Sequence, residues 1–408
     1  MKVLLLFLLA LICGWPSLFD STPGFFKAGE GEGQKELSAG RQTDRFRIAT
    51  FNVALHRKQK GELNQQLDAS QDLKIRQLAE VIQRVRPDVL LLNEVDFDAQ
   101  GRSVRLFQEN FLQVAQNSQS PIQYPYLYVA PVNTGVLSHV DINQDGKVAL
   151  PDDGFGYGAF PGQYGMALLS RYPIQRNGVR TFQKFLWKDM PKARFPKTEM
   201  GSNFFPAQVV DSLRLASKSF WDIPVSVGQN TLHLICAHPT PPVFDGPEDR
   251  NGCRNHDEIR MIADYVTNRA DYLYDDQGRM GGLAADAKFV VLGDLNADPN
   301  DGDSLKGAIT QLTECSTVHH EPIPQSHGAR VSALESGLKN SEHRGNHVHD
   351  TADFNDEFTG NLRVDYCLPS RNLRFVDAGV FWPLPEESGF ELNQASDHHL
   401  VWVDLSFR

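Results

Sequence analysis

Phe289-Val-Val-Leu-Gly-Asp294-Leu-Asn296 is the stretch that decides how this chain reads. Four apolar residues closed by a glycine are too short for a buried helix and suit a buried strand. The polar residues follow where the strand hands over to a loop, the place where a rigid scaffold can hold side chains against a ligand. Asp294 and Asn296 stand two apart on extended backbone, so their side chains leave the same face.

The same design recurs along the chain. Ile48-Ala-Thr-Phe-Asn52, Val89-Leu-Leu-Leu-Asn-Glu94, Leu232-His-Leu-Ile-Cys-Ala-His238 and Arg363-Val-Asp365-Tyr each join an apolar run to Asn, Glu, His or Asp. Ser396-Asp397-His398-His399 reverses the order, with the polar cluster just before the strand-like Leu400-Val-Trp-Val-Asp-Leu. One such ending is ordinarily a helix cap or turn former. Six of them, with complementary chemistry, point to one shared site.

Further apolar runs predict strands over 46–53, 89–92, 126–130, 166–170, 231–238, 289–292, 362–368, 375–380 and 400–407. Ile75, Leu78, Ala79, Ile82 and Val85 fall on one helical face ended by Pro87, and Ile259, Ile262, Ala263 and Val266 repeat that period after an Asn255-His256-Asp257 start. Strands outnumber helices, which predicts an α+β class, an α/β sandwich rather than a doubly wound sheet. No internal repeat is visible. The expected organisation is a signal segment at 1–24, a polar Gly-rich linker at 25–44, and one catalytic domain at 45–408 with irregular insertions near 131–163 and 316–350.

The 408 residues carry 40 Lys+Arg against 51 Asp+Glu, a net charge of -11, with 41% apolar and 10% aromatic residues. A large core can therefore be buried, and global disorder is excluded. The acidic total argues against a protein that grips nucleic acid by broad neutralisation of phosphates, while leaving room for a local site that cuts phosphate esters. Lys2 precedes the apolar run Val3–Cys13, closed by Pro16. That run is short for a membrane span and suits a secretory signal, so a secreted or periplasmic location is expected. A lipid anchor at Cys13 is disfavoured, because Ile12 stands where a small residue is wanted. Five cysteines are too few for a disulfide scaffold. Cys236 and Cys367 read as small buried hydrophobes, and Cys253 and Cys315 as the better disulfide candidates in an oxidising compartment.

Carboxylates and amide oxygens are hard ligands, suited to Mg²⁺, Mn²⁺ or Ca²⁺ rather than zinc. A divalent cation held by Glu94 and its neighbours would neutralise phosphoryl oxygens and a developing leaving-group charge. Two histidines could donate hydrogen bonds to the same oxygens or move a proton, and an Asp paired with a His fixes its tautomer. Of Asp294 and Asn296, one can orient a water while the other holds a phosphoryl oxygen.

The ordered motifs, above all G-D-L-N-A-D and S-D-H-H before an apolar strand, resemble those of the endonuclease/exonuclease/phosphatase superfamily across Arg47 to Asp404. Its members include deoxyribonuclease I, abasic-site endonucleases, neutral sphingomyelinases and inositol-polyphosphate phosphatases. The resemblance implies a four-layer α/β sandwich, two packed mixed β-sheets flanked by helices. It implies Glu94 as principal metal ligand, Asn52 supporting metal and phosphate, and Asp397 as a metal-side or hydrogen-bonding carboxylate. It also implies His238 and His398 as the catalytic histidines, Asp294 activating water, Asn296 binding the phosphoryl group and Asp365 orienting His398. Ala54 and Leu55 after Asn52, and His238 where abasic-site endonucleases place Tyr, set the chain apart from that branch. Tyr164 and Gly165 stand where deoxyribonuclease I has an acid to partner its histidine, closer to the phosphatase and sphingomyelinase members. His399 is left outside the site as a packing or solvated residue.

Three other features bear on ligands. Asp141-Ile-Asn143-Gln-Asp145-Gly146 with Asp152 as twelfth residue follows a calcium-loop pattern, so a structural Ca²⁺ bracing the first insertion is an expectation. Arg176 to Lys197 holds seven Lys/Arg against one acid, Asp189, a local +6 interleaved with Phe182, Phe185, Trp187 and Phe195; it could receive an anionic substrate by stacking and charge or form a solvated loop with anchoring aromatics. His319, His320, His327, His343, His347 and His349 are spread over a polar insertion without the spacing of a zinc site. The expected function is an exported Mg²⁺- or Mn²⁺-dependent phosphoester hydrolase in which water attacks a phosphodiester of nucleic acid, a phospholipid head group or an inositol phosphate. The alternatives are a phosphomonoesterase or lipid or inositol-phosphate phosphatase of the same fold, and a catalytically silent, calcium-braced binding module. Retention of every expected catalytic position speaks against the last. No obligate protein partner is evident, and membrane contact is expected only through the N-terminal segment if it stays uncleaved.

Overall fold

The computed structural model describes residues 25–27, 45–319 and 321–408; the apolar segment 1–24 and most of the expected linker lie outside the described residues. In chain order the strands are β1 Phe25–Lys27, β2 Arg45–Leu55, β3 Val89–Val95, β4 Tyr126–Tyr128, β5 Met166–Ser170, β6 Arg180–Thr181, β7 Phe220–Val227, β8 Asn230–Ala237, β9 Phe289–Asp294, β10 Ala352–Asp353, β11 Asn361–Leu362, β12 Asp365–Pro369, β13 Leu373–Val380 and β14 Val401–Phe407. The helices are α1 Glu62–Ala69, α2 Leu73–Val85, α3 Arg102–Phe107, α4 Ala207–Ser212, α5 Arg250–Val266, α6 Thr310–Thr313 and α7 His327–Ser336.

The strands form a seven-stranded sheet, ordered β1-β4-β5-β3-β2-β14-β13, and a five-stranded sheet, ordered β12-β9-β8-β7-β6, with β10 and β11 as a separate pair. Both are mixed: β2 and β3 are parallel in the first and β8 and β9 in the second, while every other pairing is antiparallel. Side chains alternate between faces along each strand, and this alternation sets the layers. Ile48, Val89, Leu91 and Val403 of the first sheet meet Ile223, Leu234, Val290 and Leu292 of the second in one buried cluster. Ala49, Phe51, Leu90 and Leu92 turn the other way, onto Ile75, Leu78 and Ile82 of α2. Ile235, Phe289, Val291 and Leu368 likewise turn onto Ile259 and Ile262 of α5. The result is the expected four-layer sandwich of two mixed sheets flanked by helices.

All nine predicted strands are present. β7 was not expected, because Asp222 and Pro224 break its apolar run; Asp222 is buried but accepts from Tyr265 Oη at 2.6 Å and lies 2.8 Å from His233 Nδ1. The expected start of α5 at Asn255-His256-Asp257 is corrected to Arg250. Asn255 and Asp257 are buried inside the helix and serve tertiary contacts instead of a cap: Asn255 Nδ2 donates to Thr240 O at 2.9 Å and Leu295 O at 3.0 Å. The 316–350 insertion is not wholly irregular, since it contains α7. Cys253 and Cys315, the disulfide candidates, are free, as are Cys236 and Cys367; Cys253, on α5, belongs to the apolar cluster between α5 and the five-stranded sheet, and Cys315 packs against that cluster.

The glycine of G-D-L-N has a definite task. Gly293 has φ +145°, and a Cβ there would lie 1.9 Å from Ala237 O. Only glycine lets the end of β9 lie this close against the end of β8, which brings Asp294 beside His238. Gly293→Ala is expected to lower stability by about 3 kcal/mol or more, measured as a shift in the urea midpoint; a loss below about 1 kcal/mol would contradict the close approach.

Candidate active site

The carboxyl ends of both parallel pairs face one rim. Asn52 lies near the end of β2, Glu94 near the end of β3, His238 just after β8 and Asp294 at the end of β9. Ligand sites in sheets of this kind form outside the carboxyl ends of parallel strands. β12 is antiparallel to β9 with Asp365 opposite Asp294, so its first residue joins the same rim. His398 arrives just ahead of β14.

Asp294 Oδ2 is the meeting point. Asn52 Nδ2 donates to it at 3.1 Å, His238 Nε2 lies 3.4 Å away and His398 Nε2 3.7 Å away. His398 Nδ1 pairs with Asp365 Oδ2 at 2.8 Å, and Asp365 Oδ2 also accepts from Thr351 Oγ1 at 2.9 Å. Asn52, His238, Asp294, Asp365 and His398 are all buried. Asn296 is tied to the same loop, its N–H donating to Asp294 Oδ1 at 3.0 Å and its Nδ2 to Pro239 O at 3.2 Å. Asp397 stands apart: it is exposed, its backbone carbonyl accepts from Asp353 N at 2.7 Å, and its carboxylate lies outside the buried cluster. His399 packs flat on Trp382, rings 3.6 Å apart, as a core residue.

Burial pushes the Asp294 carboxyl up to about 7, helped by Asp365 and Glu94 and opposed by His398 and the Asn52 hydrogen bond. Burial works against a charge on His398, but Asp365 and Asp294 outweigh it and hold its imidazole well above the usual range. His238 goes the opposite way, lowered by burial and by the nearby Lys218 cation. Two histidines on one carboxylate, driven apart in this way, are suited to different proton tasks.

Glu94 fits a hard cation. Burial alone would raise its carboxyl, but the His56 hydrogen bond to Oε2, at 2.8 Å, and nearby histidines bring it down to about 2. Its Oε1 makes no hydrogen bond to a described residue, so an ionised oxygen is left for a ligand. Asp294, Asp365 and His398 also stand close enough to share an ion, yet His398 Nδ1 is already engaged by Asp365, which favours a hydrogen-bonded relay there.

Sequence reasoning missed Lys218 and His56. Lys218, just before β7, is 6% exposed; its Nζ reaches only Pro239 O, at 3.4 Å, and the acids facing it are Glu258, Glu94 and Asp294. The signal was a lone Lys at the head of a strand that itself went unrecognised. Backbone strain was equally invisible: Ala54, Glu94, Tyr164 and Asn296 all adopt φ between +46° and +63°, a cost that proteins concentrate at functional rims. Gly165 itself leaves no room for a side chain, since a Cβ there would lie 2.7 Å from Val95 O. Among the described residues His238 Nδ1 has no partner.

The calcium-loop candidates lie in the first insertion. Asp141 Oδ2 accepts from Gly146 N at 2.9 Å and Asp145 Oδ1 from Lys147 N at 2.8 Å, while Asn143 Oδ1 accepts from Asp145 N at 3.2 Å. Asp152 is exposed; its neighbour Asp153 is buried and accepts from Ile142 N at 2.6 Å and Ala149 N at 2.8 Å. In the second insertion His347 Nδ1 pairs with Asp350 Oδ2 at 2.8 Å. Burial, with the charges of Asp298 and Asp301, pushes Asp350 up to about 9. The folded chain thus holds a proton that the unfolded chain releases near pH 4, so this group's contribution to stability falls as pH rises from about 4 to 9, by at most about 1.4 kcal/mol per unit. Asp350→Asn is expected to flatten the loss of Tm between pH 6 and pH 8.5; an unchanged slope would rule the assignment out.

A family model described as "Endonuclease/Exonuclease/phosphatase family" matches residues 49–398. Solved structures similar to this chain include an endonuclease/exonuclease/phosphatase from Beutenbergia cavernae DSM 12333, 18% identical, covering 89% of this chain and 72% of that one, with TM-score 0.47. An endonuclease/exonuclease/phosphatase family protein from Leptotrichia buccalis C-1013-b is 15% identical, covering 89% and 100%, with TM-score 0.45. Sphingomyelinase C from Streptomyces griseocarneus is 14% identical, covering 88% and 99%, with TM-score 0.44. No curated protein sequence matches the chain. With the family model spanning both sheets and every strand end at the rim, the chain belongs to the endonuclease/exonuclease/phosphatase family.

Proposed function

We infer that the protein is a divalent-metal-dependent phosphoester hydrolase, acting by water attack on a phosphodiester. The observation that carries the reading is the convergence of Asn52, His238 and His398 on one buried oxygen of Asp294, with ionised Glu94 at the same rim. Asp294, raised by burial, is suited to take a proton from water near neutral pH. His398, kept charged and oriented by Asp365, presents Nε2–H to a phosphoryl oxygen. His238 supplies a second, neutral imidazole, and Asn296 an amide, to the same group. Lys218 adds a cation facing Glu94 and Asp294, placed to offset the charge of a phosphate. Glu94 with Asn52 would hold Mg²⁺ or Mn²⁺, which when bound supplies charge neutralisation at phosphoryl and leaving-group oxygens. Asp397, exposed, would act at most through its field on His398.

Export belongs to the same reading, supported by Lys2 and the apolar run Val3–Cys13. Among the described residues no helix is long and apolar enough to cross a membrane. A calcium brace in the 141–153 loop is a separable part of it, supported by the D-x-N-x-D-G spacing; Ca²⁺ at millimolar concentration should then raise Tm in the presence of saturating Mg²⁺.

Hydrolysis of bis-p-nitrophenyl phosphate should vanish with EDTA and return with Mg²⁺ or Mn²⁺. His238→Ala and Asp294→Asn should each lower kcat by about 10³-fold or more, with the circular dichroism spectrum intact. Full activity in either variant would sink the mechanism. Lys218→Met should cost about 10²-fold, with partial recovery in Lys218→Arg. Turnover of p-nitrophenyl phosphate alone would replace the diesterase by a phosphomonoesterase.

A further inference from the structure

The basic, aromatic stretch 176–197 does not act as one stacking surface. Phe182, Phe185 and Trp187 are buried beneath the five-stranded sheet. Arg180 is paired with Asp275 at 2.9 Å, and Lys188 with Asp211 at 2.8 Å. The end of the stretch differs: Arg194, Phe195 and Lys197, together with Asn203, Phe205 and Val210, line a cavity of about 360 Å³. That is within the size range of small-molecule sites.

Its two halves have different chemistry. Phe205 is buried, and half-buried Phe195 is held against Trp187 with ring centroids 4.5 Å apart, so the apolar wall is anchored in the core. The backbone of Arg194 is fixed by Asp257 Oδ2, which accepts its N–H at 2.6 Å. Its guanidinium makes no hydrogen bond or ion pair with any described residue. The Lys197 ammonium donates to Asn203 Oδ1 and keeps further donors. A flat apolar wall beside two cations suits a ring that carries a phosphate: stacking for the ring, charge-assisted hydrogen bonds for the anion.

The cavity is also tied to the catalytic loop. Asp257, which anchors Arg194, precedes Glu258, whose carboxylate accepts from Ser217 N and Thr240 N, both at 2.6 Å. Ser217 precedes Lys218, and Thr240 stands two residues after His238. We propose that this cavity binds a nucleotide unit, base against Phe195 and Phe205 and phosphate on Arg194 and Lys197, and so selects single-stranded nucleic acid as the substrate. The proposal rests on the phosphodiesterase reading for the word substrate, but not for the site.

Binding is therefore tested without turnover, in the Asp294→Asn protein, by calorimetry with 5′-AMP, inorganic phosphate and phosphocholine. AMP should bind best. Arg194→Ala and Phe195→Ala should each weaken it about tenfold or more, while phosphate should be insensitive to Phe195→Ala. In the otherwise native enzyme Arg194→Ala should raise KM for a single-stranded oligonucleotide and leave turnover of bis-p-nitrophenyl phosphate unchanged. AMP affinity untouched by Arg194→Ala, a surface change that spares the fold, overturns the site. Phosphocholine binding as tightly as AMP overturns its nucleotide selectivity. AMP binding as described with no cleavage of any diester keeps the site and removes the phosphodiesterase reading instead.

Discussion

The carboxylate of Asp294, 2% exposed, is the point through which the two sheets share one site. Its Oδ2 faces Asn52 from the seven-stranded sheet, His238 from the neighbouring strand of its own sheet, and His398 from the segment that leads back into the first. A buried carboxylate is costly unless it is hydrogen-bonded or beside opposite charge. Here the compensating groups come from distant parts of the chain, so the site exists only when both sheets are packed. Its chemistry follows from the same burial, which raises Asp294 while His398 stays charged between two acids.

The apolar layer between the sheets fixes that packing. Ile48, Leu91 and Val403 on one side and Leu234, Val290 and Leu292 on the other set how the strands slide and rotate. The polar residues lie within about five positions of those side chains, after them on β2, β3, β8 and β9 and before them on β14, so the core's register becomes the site's register. This explains why the strand ends are short on freedom. Gly293 has no room for a side chain against Ala237, and Glu94 and Asn296 hold left-handed backbone. Local strain at the rim is offset by the layer behind it.

Electrostatics at the rim are local. The chain's net charge of -11 says little about the site itself, where Lys218 and His398 face the acids. A divalent cation would tip the sign further toward a phosphate ligand. The outer surface has its own logic: along 176–197 Arg180 and Lys188 are paired with acids, and Phe182, Phe185 and Trp187 are core. Arg194, whose guanidinium has no partner among the described residues, stands at the end of that stretch beside the cavity.

Local sequence was enough for the nine principal strands, the two amphipathic helices and the sandwich class, and it marked the strand-end residues from which the rim is drawn. It could do so because apolar periodicity and the abrupt change from apolar to polar at a strand end are local properties of the chain. It could not reveal β7, whose Asp222 is balanced by Tyr265 and His233 from elsewhere in sequence. Nor could it show that Asn255 and Asp257 are buried hydrogen-bonding groups rather than a helix start, or that Cys253 and Cys315 remain apart. Lys218 and His56 escaped for the same reason, since their roles arise from neighbours 21 or more positions away. Tertiary structure alone decided which of the strand-end groups touch: it gathered Asn52, His238, Asp294, Asp365 and His398 and left Asp397 in solvent. Burial and proximity, which set charge state and partner, are properties of the packed chain and not of any segment.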